Sequence, residues 1–269
     1  MEKTRPIGVF DSGVGGLTVA QALMRELPRE HIVYVGDTAR YPYGNRSEET
    51  IRRMAEECIE YLLSHEVKLV VVACNTATAF AFEHLKARFP AVPFVGVVAP
   101  CVEAVVRGVA EGAVGVIGTE GTISCGIYER SIKARNPALA VYSRACPLLV
   151  PLAEEGVVHG PIVELVLDMY LKEFVPRGLK ALILGCTHYP FFKQGISAYF
   201  QGKVDVFDSA TWTARATAAE LERRGLCAER EPVSVLDHRF VVTDHPIKFR
   251  KTGEAFLGQA ISKVMKVTI

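Results

Sequence analysis

Short runs of Val and Ile recur along the chain, each followed by a longer amphipathic stretch, and this alternation restricts the fold more than any other feature. In order, PIGVFD, HIVYVGD, KLVVVAC and PFVGVV are followed by AVGVIGT, ALAVYSRAC, KALILGC and KVDVFDS. Apolar runs of this length, bounded by turn residues, read as strands buried on both faces. Helical patterns separate nearly all of them, which demands parallel sheets covered on both sides and an α/β fold class. LTVAQALMREL opens a helix after Gly16. SEETIRRMAEECIEYLLSH opens another, with Ser47 as N-cap and two acids in its first turn.

The strands divide into two similar halves. GVFDSGVGGLT resembles GVIGTEGTIS, and KLVVVACNTAT resembles KALILGCTHYP; the paired positions Asp11/Thr119 and Cys74/Cys186 are 108 and 112 residues apart. Two matches in one order at nearly one offset predict two pseudo-symmetric α/β domains. Residues 1–98 form the first and 99–209 the second, and TWTARATAAELERRG then carries the chain back. The tail 210–269, with a strand at RFVVTD and a helix-like GEAFLGQAISKVM, is placed with the first domain.

Ligands of open α/β sheets bind beyond the carboxyl ends of the strands. Asp11, Asp37, Cys74, Thr119, Cys146, Cys186 and Asp208 each end a predicted strand. Two sheets facing across a cleft would set the first group against the second, so the active site is expected between the domains.

Bulk properties remove several functional classes. Of 269 residues, 49% are hydrophobic and 23% charged, with a net charge of +1. Near-neutrality without a basic, aromatic-studded run disfavours nucleic-acid binding. No apolar run approaches the roughly 18 residues of a membrane helix, and MEKTRPIGVF enters a strand without a leader pattern, so a cytoplasmic, non-membrane protein is expected. Seven cysteines at irregular spacing without a CxxC pair argue against a disulfide framework or a zinc site. Free thiols are expected, and Cys58, on the face of Ile51, Met54, Ala55 and Leu62, reads as a core thiol.

Cys74 and Cys186 stand apart because they repeat: each closes an apolar strand and is followed by small or hydroxyl residues. Each precedes a predicted helix, whose free N–H groups lower a thiol pKa from about 8.5. A thiolate removes a proton and a second thiol donates one to the opposite face, which is stereoinversion. The competing readings are a disulfide switch between the two, and acyl transfer, which needs one thiol and not two. His188 lies two residues beyond Cys186, and Asp11 is within reach of Cys74. The Asp11–Gly16 turn resembles a phosphate loop but places a carboxylate where an anion would approach, so its glycines read as opening backbone N–H groups to a small ligand. Ser12, Asn75, Thr76, Thr119, Thr122 and Thr187 lie on strand-to-helix turns and suit amino-acid carboxylates; taken singly, each also reads as a helix cap.

With these residues in place, the sequence resembles the glutamate racemases of the aspartate/glutamate racemase superfamily over nearly its whole length. GVFDSGVGGLTV, YVGDTARYPYG, ACNTATA, GVIGTEGTI, ACPLLVPLAEEG and LILGCTHYP follow in the family's order. The resemblance implies Cys74 and Cys186 as the two acid/base catalysts, acting on D- and L-glutamate respectively, with no pyridoxal phosphate, other cofactor or metal. It implies that Asp11 assists the first thiol and His188 the second, with Glu154, not its neighbour Glu155, as supporting carboxylate. Substrate contacts map onto Ser12, Tyr43, Gly44, Asn75, Thr76, Thr119, Thr122 and Thr187, with Asp37 at the border of the site. A homodimer supplying D-glutamate to the bacterial wall is also implied. The N-terminus lacks the extension with which some members bind an activator, so activity without one is expected. One departure is Thr243-Asp244-His245-Pro246, where the family commonly has Thr-Gly, far in sequence from every catalytic motif. The alternatives are an aspartate racemase of the same superfamily and, in another class, a non-catalytic two-lobed carboxylate-binding protein.

Overall fold

The structure, a computed structural model, describes residues 3–261 and 263–269. It separates into two compact units, Met1–Val97 with Ala210–Ile269, and Val98–Ser209. The strands are β1 (Ile7–Asp11), β2 (Ile32–Gly36), β3 (Leu69–Val72), β4 (Phe94–Gly96), β5 (Ala113–Gly118), β6 (Ala140–Ala145), β7 (Leu179–Gly185), β8 (Asp205–Asp208), β9 (Arg239–Val242) and β10 (Val264–Lys266). The helices are α1 (Leu17–Glu26), α2 (Glu48–Leu63), α3 (Asn75–Arg88), α4 (Val98–Gly108), α5 (Glu120–Ser124), α6 (Ile127–Arg135), α7 (Leu149–Glu154), α8 (Pro161–Leu171), α9 (Lys193–Tyr199), α10 (Ser209–Arg224) and α11 (Pro246–Leu257).

In the first unit six parallel strands run β10-β9-β2-β1-β3-β4; in the second, four run β6-β5-β7-β8. All recorded pairings are parallel. The order β2-β1-β3-β4 is therefore repeated as β6-β5-β7-β8, the topological form of the internal repeat. In each half the chain leaves the central strand toward one side, then returns and crosses to the other. Such a switch point opens a crevice at the carboxyl ends of the central strand and its later neighbour. In the first unit these are β1 and β3, and in the second β5 and β7.

Burial explains why the local patterns hold. β1, β2 and β3 are buried throughout, as parallel strands covered by helices must be. Helix α2 begins at Ser47, whose side chain accepts the Thr50 N–H, and buries Ile51, Met54, Ala55, Cys58, Ile59 and Leu62. A large apolar side chain contributes roughly 1.5–3 kcal/mol when fully buried, so packing outweighs helix propensity here.

The tail differs from its sequence pattern. The helix starts at Pro246, where a missing N–H costs nothing, and stops at Gly258 in the left-handed region (φ +67). The expected helix over 253–265 is thus displaced toward the N-terminus, and Val264–Lys266 pair with Phe240–Val242 as an edge strand. A buried ion pair was also invisible in the sequence. Lys68 Nζ meets Glu30 Oε2 at 2.5 Å and donates to the carbonyls of Lys3 and Leu226, while Glu30 Oε1 accepts the Ala228 N–H. These bonds anchor the segment that follows α10 within the first unit.

Candidate active site

Cys74 sits at the first switch point. Its backbone is extended and it N-caps α3, with Sγ accepting the Ala77 N–H at 3.4 Å. Partial positive charge at the start of a helix of this length therefore lies beside the sulfur. Ser12 Oγ, from the turn after β1, is 3.4 Å from the same sulfur. Asn75 and Thr76 open the helix and are buried with Cys74 and Ser12.

The β1–α1 turn is held from below. Asp11 Oδ1 accepts the Gly13 N–H at 2.9 Å, and the Tyr34 hydroxyl donates to Gly13 O at 2.8 Å. Burial, and then the negative charges of Asp11 and Cys74, push the Tyr34 phenol well up, so it stays a donor. Gly16 has no room for a side chain: a Cβ would lie 2.4 Å from Asp11 Cβ and 2.8 Å from the Tyr34 hydroxyl. The sequence reading gave these glycines to ligand access; at Gly16 the requirement is close packing against Asp11.

The stretch after β2 is built around Asp37. Its carboxylate is fully buried and accepts Arg40 Nε at 2.7 Å and Tyr43 hydroxyl at 2.5 Å on Oδ2, and Thr243 Oγ1 at 2.9 Å on Oδ1. Arg40 also pairs with Glu57. The Tyr43 ring is in the core, 6.2 Å from Phe10 between centroids, and burial followed by nearby negative groups raises its phenol. Asp37 and Tyr43 thus spend their side chains inside the unit, shaping the single 3₁₀ turn Tyr43–Asn45 that contains Gly44. Thr243 was missed, since the segment containing it was set aside as remote. Register brings it in: Gly36 pairs with Val242, so residues 37 and 243 leave adjacent strands together.

In the second unit Cys186 follows β7. Its Sγ lies 3.7 Å from His188 Nδ1, and His188 Nε2 is 3.2 Å from Glu154 Oε1 at the end of α7. Glu155 is exposed at the C-cap, so the line of three groups uses Glu154. Burial by itself would depress the His188 imidazolium; the bonds to Cys186 and Glu154 outweigh it and lift the group to about 10. Thr119 N-caps α5 by accepting the Thr122 N–H, its hydroxyl 3.0 Å from that of Thr122. Thr122 and Thr187 are buried.

The two thiols are not equivalent in detail. An α-helix was expected after each, but Cys186 is followed by a 3₁₀ turn, Tyr189–Phe192, and α9 starts only at Lys193. Pro190 lacks the N–H that would extend an α-helical ladder through that turn. The cationic partner at Cys186 is an imidazole where Cys74 has a helix end.

All seven cysteines are free thiols. Burial raises Cys58, Cys101 and Cys146 far above the ordinary thiol range. Cys146, a strand-end candidate in the sequence, directs its Sγ to Arg144 O, and its carbonyl accepts the Tyr189 hydroxyl. Asp208, another strand end, pairs with Lys193 at 2.8 Å. Among the described residues no group of three or more His, Cys, Asp or Glu side chains is placed to hold a metal ion, and no helix is long and apolar enough to cross a membrane. Within the first unit the folded chain brings Asp11, Ser12, Asn75 and Thr76 to the strand ends around Cys74. Within the second, Thr119, Thr122, Thr187, His188 and Glu154 gather around Cys186.

The chain is similar to known proteins over nearly its whole length. The family model described as Asp/Glu/hydantoin racemase matches residues 7–217. The glutamate racemase of Chlorobaculum tepidum is 41% identical over 259 residues, 96% of this chain and 94% of that protein. Crystal structures of glutamate racemases superimpose closely. That from Francisella tularensis, in complex with D-glutamate, gives a TM-score of 0.92 at 40% identity, covering 99% of this chain and 98% of the other. That from Thermus thermophilus, in complex with β-chloro-D-alanine, gives 0.90 at 44%, covering 100% and 99%.

Proposed function

The chain belongs to the Asp/Glu/hydantoin racemase family and is an isomerase, and from that premise we propose that it interconverts L- and D-glutamate by proton transfer between Cys74 and Cys186, without a cofactor. The observation that carries the reading is the repetition: equivalent switch points of two like sheets each present a buried thiol with a polar partner, Ser12 in one and His188 in the other.

In the proposed reaction the two sulfurs address one α-carbon from opposite sides. From D-glutamate, the Cys74 thiolate takes the α-hydrogen, the C–H bond breaking as S–H forms, and the Cys186 thiol gives its proton to the other face. From L-glutamate the roles reverse. No electrons are gained or lost, and each turnover leaves the two cysteines with exchanged protonation states. The α-hydrogen is a very weak acid, so the carbanion-like transition state needs donors arranged in advance and little water. The buried hydroxyls and amides of Ser12, Asn75, Thr76, Thr122 and Thr187, and the part-exposed hydroxyl of Thr119, supply such donors, with the Gly44 turn and Asp11 completing the substrate's surroundings. His188, held by Glu154, keeps positive charge beside Cys186 when that sulfur is a thiolate. A cytoplasmic homodimer that provides D-glutamate for peptidoglycan is the corresponding cellular role.

Circular dichroism of either enantiomer incubated in deuterated water tests the proposal. Loss of rotation with α-deuteration is expected on glutamate, and not on aspartate run beside it. Cys74→Ala and Cys186→Ala are each expected to remove about 10²–10⁴ or more of the activity. A singly substituted enzyme that still racemises at the parent rate would refute the two-base mechanism, and binding without exchange would favour a carboxylate receptor.

A further inference from the structure

We infer that Thr243, in the turn between β9 and α11, is a positioning residue that holds the substrate loop Asp37–Asn45 in its working shape. The inference rests on the reading above that this loop, through the turn containing Gly44, borders the substrate.

The hydroxyl of Thr243 is used twice. It donates to Asp37 Oδ1 at 2.9 Å and accepts the Ala39 N–H at 2.8 Å. A threonine hydroxyl has one proton and two lone pairs, so both bonds are made at once and fix each other's direction. Asp37 is fully buried, and its other oxygen receives Tyr43 and Arg40. The same carboxylate therefore joins the C-terminal turn to the start of the 3₁₀ turn at Tyr43.

A second clasp lies beside the first. Thr38 Oγ1 donates to Asp244 O at 2.6 Å and accepts the Asp244 N–H at 2.8 Å. Between these fixed points the loop runs over the first thiol's own turn: a Cβ on Gly13 would lie 3.0 Å from the Tyr41 ring. Gly13 adjoins Ser12, whose hydroxyl is 3.4 Å from Cys74 Sγ. The path from Thr243 to the thiol is thus Asp37, the Tyr41–Tyr43 stretch, and the Ser12 turn.

A loop held this way is ordered before substrate arrives; without the hydroxyl, binding must order it. The cost falls equally on ground state and transition state, so it is read in KM more than in kcat. Thr243→Val keeps the shape and removes both bonds. It is expected to raise KM for both enantiomers about tenfold, with kcat within about twofold of the parent, while Thr243→Ser returns KM to near the parent value. Should Thr243→Val fail to fold, Thr38→Val, at a part-exposed position, removes the second clasp alone and is expected to raise KM about threefold. Folded protein is verified by near-ultraviolet circular dichroism at the assay temperature. The proposal is overturned if either folded valine variant keeps the parent KM, if kcat falls in place of a rise in KM, or if Thr243→Ser behaves like Thr243→Val. Failure of the functional reading is seen separately, since the parent protein would then not racemise glutamate at all.

Discussion

Glu154 Oε1 lies 3.2 Å from His188 Nε2, and these two residues reach each other from α7 and from the turn after β7. The carboxylate is one of two groups that keep the imidazole cationic; the other is Cys186. Glu154→Gln retains a hydrogen-bonding side chain and removes the charge. The His188 pKa then falls from about 10, and the alkaline limb of the pH–rate profile is expected to move down by about one unit or more. Because the enantiomers have equal free energy, kcat/KM must drop by one factor in both directions, expected at about 10–100-fold. An alkaline limb that stays in place in the variant would remove Glu154 from this role.

Gly16→Ala tests the packing beneath the β1–α1 turn. The new methyl would meet Asp11 Cβ at 2.4 Å and the Tyr34 hydroxyl at 2.8 Å. Overpacking of this kind costs about 1–3 kcal/mol or more. Gly156→Ala makes a useful contrast, since Gly156 is left-handed (φ +73) with nothing within 4 Å of its Cβ position; only backbone strain of about 1–2 kcal/mol applies. Urea unfolding is expected to rank Gly16→Ala as the more destabilising change, and Gly16→Ala alone is expected to lose activity as Ser12 is displaced. Equal stabilities for the two variants would contradict the packing assignment.

His238 ties stability to pH. Its Nδ1 accepts the Ile32 N–H at 3.3 Å, and burial, followed by the neighbouring charge of His31, pushes it down to about 4. The unfolded chain binds a proton near pH 6.5, so between about 6.5 and 4 it holds more protons than the folded one. The His238 contribution is therefore present above pH 6.5 and lost as the solution is acidified, by up to about 3 kcal/mol. His188 acts in the opposite sense: its raised pKa gives stability below about 6.5 that disappears as pH climbs through 10. Unfolding curves at pH 7 and 5 are expected to show the acid loss in the parent and much less of it in His238→Gln. A parallel decline in both would place the acid sensitivity elsewhere.

Much of the candidate site was legible because its residues follow strands whose apolar runs are local signals. Asp11, Cys74, Thr119 and Cys186 were found from strand ends and from the internal repeat, and the parallel topology accounts for both. Thr243 was not legible: 206 positions separate it from Asp37, and only the pairing of β2 with β9 joins them. The buried roles of Asp37 and Lys68 were hidden for a related reason. A charged residue reads as a surface residue until the partner that neutralises it is known, and those partners come from distant segments. The 3₁₀ turn after Cys186 had a local sign in Pro190, which the similarity between the two cysteine motifs obscured.

Two strands of the first sheet, β9 and β10, come from the last part of the chain, whereas the second unit is continuous and ends at Ser209. During synthesis, every strand neighbouring β7 has left the ribosome while β2 still has an open edge. The Asp37–Thr243 and Thr38–Asp244 clasps that hold the loop over Gly13 can close only after β9 emerges. The surroundings of Cys74 are therefore completed later in a nascent chain than those of Cys186.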